Sequence, residues 1–239
     1  MTNLIADISQ RQAARVAGFG WLLIIITGIF AEFFIRMELI VEGDAAATAN
    51  NIMDSEALFK ISIALDLIML TVDVMVGLAL YVLLKAVYKS LALLATFFRF
   101  AMAIILGINL LNLVFVLLLL SDADYLTVFE TDELHSLVLL FLNAHGHGYD
   151  IGLVFFGLHL FVLGYLVFKS GYLPRILGFL LIFASLGYLI DSFANLFLSN
   201  DEAIISLAAI FLIMIAVVAE LSLSLWLILK SDQIPEMKS

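Results

Sequence analysis

Six long apolar stretches separated by short polar segments dominate this sequence. A helix needs about 20 mostly apolar residues to cross a membrane, and each stretch meets that length. The third and fourth stretches are longer than a bilayer requires, so they are expected to tilt, break or protrude. The pattern predicts an all-α polytopic membrane protein, with six transmembrane helices bundled in one domain over residues 1–239. The stretches cover residues 16–36, 59–84, 91–120, 137–168, 176–198 and 203–229.

The composition indicates that lipid is the solvent of this chain. Hydrophobic residues make up 64% and charged residues 13%, and the mean hydropathy is +1.18. A soluble domain is nearer half apolar and a quarter charged. The net charge of -10 argues against a nucleic-acid partner, which requires a basic surface. The absence of cysteine excludes disulfides, thiolate metal sites and cysteine nucleophiles.

Basic residues are concentrated in alternate connections between the stretches. By the positive-inside rule, this split places both termini in the cytoplasm. The other connections are rich in Asp and Glu, which agrees with that orientation. The basic residues are Arg11, Arg15, Lys85, Lys89, Lys169, Arg175, Lys230 and Lys238, and the acids include Asp122, Asp124, Asp201 and Glu202.

The connection over residues 38–56 is the only long one, and it is expected to lie on the outer surface as a lid. Asp44 is predicted to cap a short helix over residues 45–53, and Ser55 to cap the second spanning helix.

A short pattern occurs twice, at the inner turns of two hairpins. Tyr81, Lys85 and Tyr88 have the same spacing as Tyr165, Lys169 and Tyr172. Chance similarity between apolar helices is the preferred explanation over an old hairpin duplication.

Four longer motifs carry a resemblance to a known family. They are GDAAATANNI at 43–52, the run from LALLATFFR to GINLLNL at 91–113, GLVFFGLHLFVLGYLVFKSGYLPRILGFLLIF at 152–183, and GYLIDSF at 187–193. In these motifs the chain resembles a bacterial family of integral membrane proteins described only as a domain of unknown function (number four-three-eight-six). The resemblance implies a six-helix, multi-pass protein of the bacterial plasma membrane, and it implies no activity.

An inner layer of charge is predicted from the depth of polar residues along the helices. Asp73, Arg99, His159 and Glu220 come from four different stretches and share one depth, counted at about 1.5 Å per residue. Ionisable groups at that depth are costly unless they are paired. Arg99 is therefore expected to pair with Asp73, Glu220 or both. A structural salt bridge and a charge relay both remain open.

An outer layer supplies the candidate ligand-binding residues, which are Asp66, Asn109, His145, His147, Asp150 and Asp191. Carboxylates beside imidazoles suit a divalent cation such as zinc or manganese, so the sequence allows one, although no metal site or cofactor is assigned. A hydrated vestibule explains the same residues. Glu32 is expected to pair with Arg36, four residues further on.

The fourth stretch carries small or polar residues on two faces, which predicts a helix in the middle of the bundle. His145, Gly148 and Gly152 lie on one face, and Gly157 and Gly164 on another. The HGHG sequence at 145–148 is expected to break the helix near the outer surface.

These residues favour a protein that binds or transports a small molecule or ion through an outward-facing polar cavity. An intramembrane metal-dependent hydrolase and a structural or regulatory membrane protein are the alternatives, and no catalytic residue is assigned. The expected partner is the lipid bilayer, and the sequence also allows a homodimer.

Overall fold

The computed structural model describes residues 8–121, 123–198 and 203–236, with the side chains of the last helix described from Met214 onward. The described elements are all helical. Asp122, Asp201, Glu202 and Lys238, which entered the topology prediction, lie outside the described residues. The helices are α1 (Gln10–Leu39), α2 (Ala45–Asp54), α3 (Glu56–Leu84), α4 (Lys89–Leu119), α5 (Thr131–Ser170), α6 (Arg175–Phe197) and α7 (Ala203–Leu229).

Five of these helices, α1, α3, α4, α5 and α6, are long and apolar enough to cross a membrane. The sixth, α7, has 27 residues, and Met214–Leu229, the part whose side chains are described, is also apolar. Large apolar side chains such as Phe33, Phe97 and Ile104 are more than half exposed on the outside of the bundle, where lipid would cover them. The predicted polytopic helical membrane protein is confirmed.

The spanning helices form a closed ring in chain order. Each packs against the next, from α1 on α3 to α6 on α7, and α7 packs against α1. Short connections favour this arrangement, since they leave consecutive helices as antiparallel neighbours. The ring places both described chain ends at the same end of the bundle, which we call the terminal end, and α2 at the opposite, outer end.

Helix α5 packs on both sides through its glycines, as predicted. A Cβ at Gly152 would lie 2.6 Å from Leu106 of α4, and one at Gly164 would lie 2.7 Å from the carbonyl oxygen of Gly178 in α6. The predicted break at HGHG is wrong, because α5 is continuous over its 40 residues. The Asn109 amide donates a 2.8 Å hydrogen bond to the His145 carbonyl, so a neighbouring helix supports the backbone at this point.

The lid contains the short helix α2, which packs against α5. Asp44 caps it as predicted, accepting a 2.9 Å hydrogen bond from the Ala47 amide. The Thr48 hydroxyl accepts a hydrogen bond from the Val41 amide and lies within hydrogen-bonding distance of the Val41 carbonyl. The Asn51 side chain donates a hydrogen bond to the Leu39 carbonyl. Ser55 precedes α3, but its side chain forms no cap hydrogen bond, so that prediction is wrong.

Candidate functional site

Six polar side chains, one from each spanning helix, converge at mid-depth in the ring. At about 1.5 Å per residue they lie roughly 14–20 Å from the terminal-end helix boundaries, which is about half of a 30 Å hydrocarbon core. We call this set the central network. It consists of Trp21 in α1, Asp73 in α3, Arg99 in α4, His159 in α5, Tyr188 in α6 and Glu220 in α7.

Arg99 is the hub of the central network and is only 1% exposed. Its Nη2 forms an ion pair with Asp73, and its Nη1 lies 3.2 Å from Nε2 of His159. The guanidinium also stacks over the Trp21 ring, 4.6 Å from the ring centroid. A buried cation over an aromatic face is stabilised by the ring quadrupole. One side chain therefore links four of the six spanning helices.

His159 is held in its neutral form by the groups around it. Nδ1 lies 2.8 Å from the Ala95 carbonyl oxygen, which can only accept, so Nδ1 carries a hydrogen. Nε2 faces the Arg99 guanidinium, which can only donate, so Nε2 presents its lone pair. The imidazole is thus an acceptor for Arg99 and adds no positive charge.

Glu220 occupies the other half of the central network. Its Oε2 accepts a 3.0 Å hydrogen bond from the Trp21 indole, and its Oε1 accepts a 2.8 Å bond from the Tyr188 hydroxyl. Asp73 and Glu220 were the predicted partners of Arg99, and the structure pairs Arg99 with Asp73. Glu220 accepts its hydrogen bonds from the uncharged side chains of Trp21 and Tyr188. The indole of Trp21 joins the two halves, since it bonds Glu220 at its edge and covers Arg99 with its face.

One buried donor of the central network is unused. Among the described residues, Nε of Arg99 has no hydrogen-bond partner, although the side chain is almost fully buried. An unpaired buried donor costs about 1–3 kcal/mol. A polar group that reached this hydrogen would therefore be stabilised.

Near the outer end, the predicted outer layer separates into different groups. Arg36 is 3% exposed and binds Asp66 through both terminal nitrogens, at 2.6 and 3.4 Å, and Glu32 through Nε, at 2.7 Å. The Glu32–Arg36 pair was predicted. The Arg36–Asp66 pair was not, and it leaves the Asp66 carboxylate engaged by a cation of the chain itself. A π-helical turn over Glu32–Arg36, a feature frequent at functional sites, includes both Glu32 and Arg36.

The second outer group links α4 to α5. Asn109 donates to the His145 carbonyl and also lies 3.1 Å from Nδ1 of His145. Asn112 donates to the side-chain oxygen of Asn109 at 2.8 Å. These amides stabilise the contact between the two helices.

A third group lies between α5 and α6. The Asn195 amide nitrogen is 3.2 Å from Asp150 Oδ1 and 3.5 Å from Asp191 Oδ2, so the two carboxylates are close together and partly exposed. His147 is exposed nearby. Across the described part of the chain, no three His, Asp or Glu side chains gather closely enough to hold a metal ion. The divalent cation thus stays a prediction, and the hydrogen bonds of the outer layer fall into three separate groups.

Trp21 and Tyr188 are the network residues that the sequence did not indicate, and Phe156 packs beside the network. Phe156 stacks against His159 and meets Tyr188 edge-on at 5.1 Å. A tryptophan at mid-span is unusual, because Trp is enriched at membrane interfaces. This mid-span position was the one feature of the sequence that could have identified Trp21 as part of the network.

Comparison with known proteins gives a family without an assigned activity. The model of a domain of unknown function (DUF4386) matches residues 16–231. An uncharacterized protein of Archaeoglobus fulgidus is 33% identical over 172 residues, which is 72% of this chain and 85% of the relative. No solved structure matches this chain.

Proposed function

The chain belongs to the family described as a domain of unknown function (DUF4386), and we propose that it exchanges protons for a monovalent cation across the membrane. The observation that carries this proposal is a charge imbalance in the central network. Asp73 and Glu220 supply two carboxyl groups, Arg99 supplies one cation, and His159 is neutral. An uncompensated charge at mid-bilayer costs several kcal/mol. One further positive charge would therefore make the network electrically neutral.

Glu220 is the group that takes this charge, because Asp73 is already paired with Arg99. A proton on Oε1 of Glu220 has an acceptor in place, since the Tyr188 hydroxyl can accept as well as donate. A monovalent cation bound to the same carboxylate would neutralise the charge of Glu220 as a proton does. A proton and a cation compete for one carboxylate, and such competition is the basis of exchange.

The position of the network supports a transport role. Substrate and coupling-ion sites of secondary transporters lie near the bilayer midplane. Every spanning helix contributes a side chain to the network, and Glu220 bonds two of them, Trp21 of α1 and Tyr188 of α6. Arg36 and Asp66 bridge α1 to α3 on the outer side of the network. Acidic residues such as Asp132 and Glu133 at the outer end would raise the local concentration of cations.

The intramembrane hydrolase gains no support from the described residues, because three metal-ligating side chains do not come together there. A structural or regulatory role is the outcome that a negative transport experiment would favour.

The proposal is tested with purified protein in liposomes that enclose a pH-sensitive dye. Gradients of sodium, potassium and tetramethylammonium are imposed in turn. We expect at least one of them to drive a change of internal pH, because the cation displaces the proton of Glu220. Glu220→Gln should reduce that change to the level of protein-free liposomes.

Glu56→Gln is the matched control, since Glu56 is exposed and pairs with Lys60 at the outer end. It should exchange like the wild type. A folded wild type that moves no protons with any of these cations would refute the exchange function. Full exchange by Glu220→Gln would refute the site.

A further inference from the structure

The terminal end of the bundle carries an open groove between two helix turns. The turn between α3 and α4 provides Tyr88, and the turn between α5 and α6 provides Lys169, Gly171 and Tyr172. Pro235, from the segment after α7, completes the lining. The volume of the groove is about 570 Å³. The groove lies where four spanning helices end, which is the depth of lipid headgroups.

Both copies of the repeated Tyr–Lys–Tyr pattern contribute to this groove. The ring of Tyr88 from the first copy stacks on Tyr165 from the second, with centroids 6.2 Å apart. Tyr172 donates a 2.6 Å hydrogen bond to the Leu83 carbonyl, so the second copy is also fixed to the first hairpin. Burial raises the pKa of Tyr172 to about 12, which keeps this donor protonated. Contacts between the two hairpins therefore fix the position of the walls of the groove.

Positive charge without a counter-ion is concentrated on this side of the terminal end. Lys85, Lys89, Lys169 and Arg175 are exposed and form no ion pair with any described residue. The two turns themselves contain no Asp or Glu. Around α1, in contrast, the basic side chains are neutralised: Arg15 pairs with Asp232 and Arg11 with Glu236.

Lys169 is held at the rim of the groove by aromatic contacts. Its Nζ lies 5.8 Å from the centroid of Tyr165 and 5.8 Å from that of Phe168. The ammonium therefore keeps free hydrogens for an anion. Phe161 and Tyr165 occupy successive turns of α5 and are both exposed, so an apolar surface leads from the groove toward the membrane interior.

We propose that this groove binds the phosphate headgroup of an anionic phospholipid. Lys169 at the rim, together with Lys85 and Lys89 on either side of the lining residues 86–88, matches the phosphodiester charge. Basic pockets between transmembrane helices bind anionic headgroups. The exposed surface along Phe161 and Tyr165 accommodates an acyl chain, which a soluble phosphate lacks. This site is separate from Glu220, so the experiment on lipid binding and the experiment on cation exchange have independent outcomes.

The test is native mass spectrometry of the full chain in detergent with phosphatidylglycerol, with phosphatidylethanolamine of the same acyl chains, or with inorganic phosphate. We expect retention of phosphatidylglycerol over phosphatidylethanolamine and no retention of phosphate. Lys169→Gln should weaken phosphatidylglycerol binding about fivefold, which is the effect of one lysine near an anionic lipid surface. The Lys85→Gln, Lys169→Gln double variant should weaken it further.

Lys60→Gln is the matched control, because Lys60 is an exposed lysine at the outer end. It should bind phosphatidylglycerol like the wild type. Equal retention of the two lipids, an equal loss in the control, or release of the lipid by millimolar phosphate would each overturn the proposal.

Discussion

The indole of Trp21 donates a 3.0 Å hydrogen bond to the carboxylate of Glu220, and this bond joins the first and last spanning helices. Within a membrane, helices gain little from hydrophobic burial against one another, so packing and polar contacts hold a ring closed. Ser224 adds a second bond at this junction, 2.7 Å to the Gly18 carbonyl. The closure of the ring and the site of the proposed exchange therefore depend on the same carboxylate.

Replacing Trp21 with phenylalanine is expected to lower the free energy of unfolding by about 1–3 kcal/mol, because Glu220 loses a buried donor. The measurement is unfolding of the purified protein by SDS in mixed micelles. Trp226→Phe is the control, since Trp226 is only partly buried against the core. Equal losses in the two variants would mean that ring size matters and the hydrogen bond does not.

The Arg99–Asp73 pair is expected to show strong coupling in a double-mutant cycle. Arg99→Met alone leaves Asp73 as a buried charge and should cost about 3–5 kcal/mol of unfolding free energy. Combining it with Asp73→Leu should cost clearly less than the sum of the two single changes. The same micelle unfolding assay measures the cycle.

Arg15 and Asp232 provide the comparison cycle, because they form a 2.7 Å pair whose side chains are more than half exposed. Their coupling should be below about 1 kcal/mol. A coupling for Arg99 and Asp73 no larger than that of the exposed pair would contradict a buried network.

The depth of residues could be predicted from the sequence far better than the direction in which their side chains point. Counting along apolar helices placed Asp73, Arg99, His159 and Glu220 in one layer, and the structure brings all four into the central network. The same counting placed Arg36 at a helix end, as a flanking charge. In the structure Arg36 is buried and paired with Asp66, because its side chain turns toward α3.

Local signals failed where a neighbouring helix determines the outcome. The HGHG sequence suggested a break, yet Asn109 of α4 binds the backbone there and α5 continues. Tyr188 and Phe156 carry no charge, so depth alone gave no reason to select them among many apolar and aromatic residues. Their role follows from ring closure, which brings α7 beside α1 and which spacing along one helix does not encode.

The orientation of the bundle stays a prediction that reporter fusions can test. Reporters placed after Lys89 and after Asp124 should lie on opposite sides of the membrane, with the first in the cytoplasm, because α4 separates the two positions. Phosphatase and fluorescent-protein fusions in intact cells provide the measurement. Finding both reporters on one side would refute the arrangement of the α3–α4 and α4–α5 connections.

The contact between α5 and α6 is expected to tolerate no side chain at Gly178. A Cβ at this position would lie 2.6 Å from the Gly164 carbonyl oxygen and 2.7 Å from the Phe168 backbone nitrogen. Backbone atoms cannot rotate away as a side chain can, so the helices must separate. Gly178→Ala should therefore lower the free energy of unfolding by about 1–3 kcal/mol, as overpacking does.

Gly146→Ala, on the same helix pair, is the control: its Cβ would meet nothing within 4 Å, so it should be neutral or slightly stabilising through helix propensity. A Gly178→Ala protein as stable as the Gly146→Ala protein would show that α5 and α6 do not approach this closely.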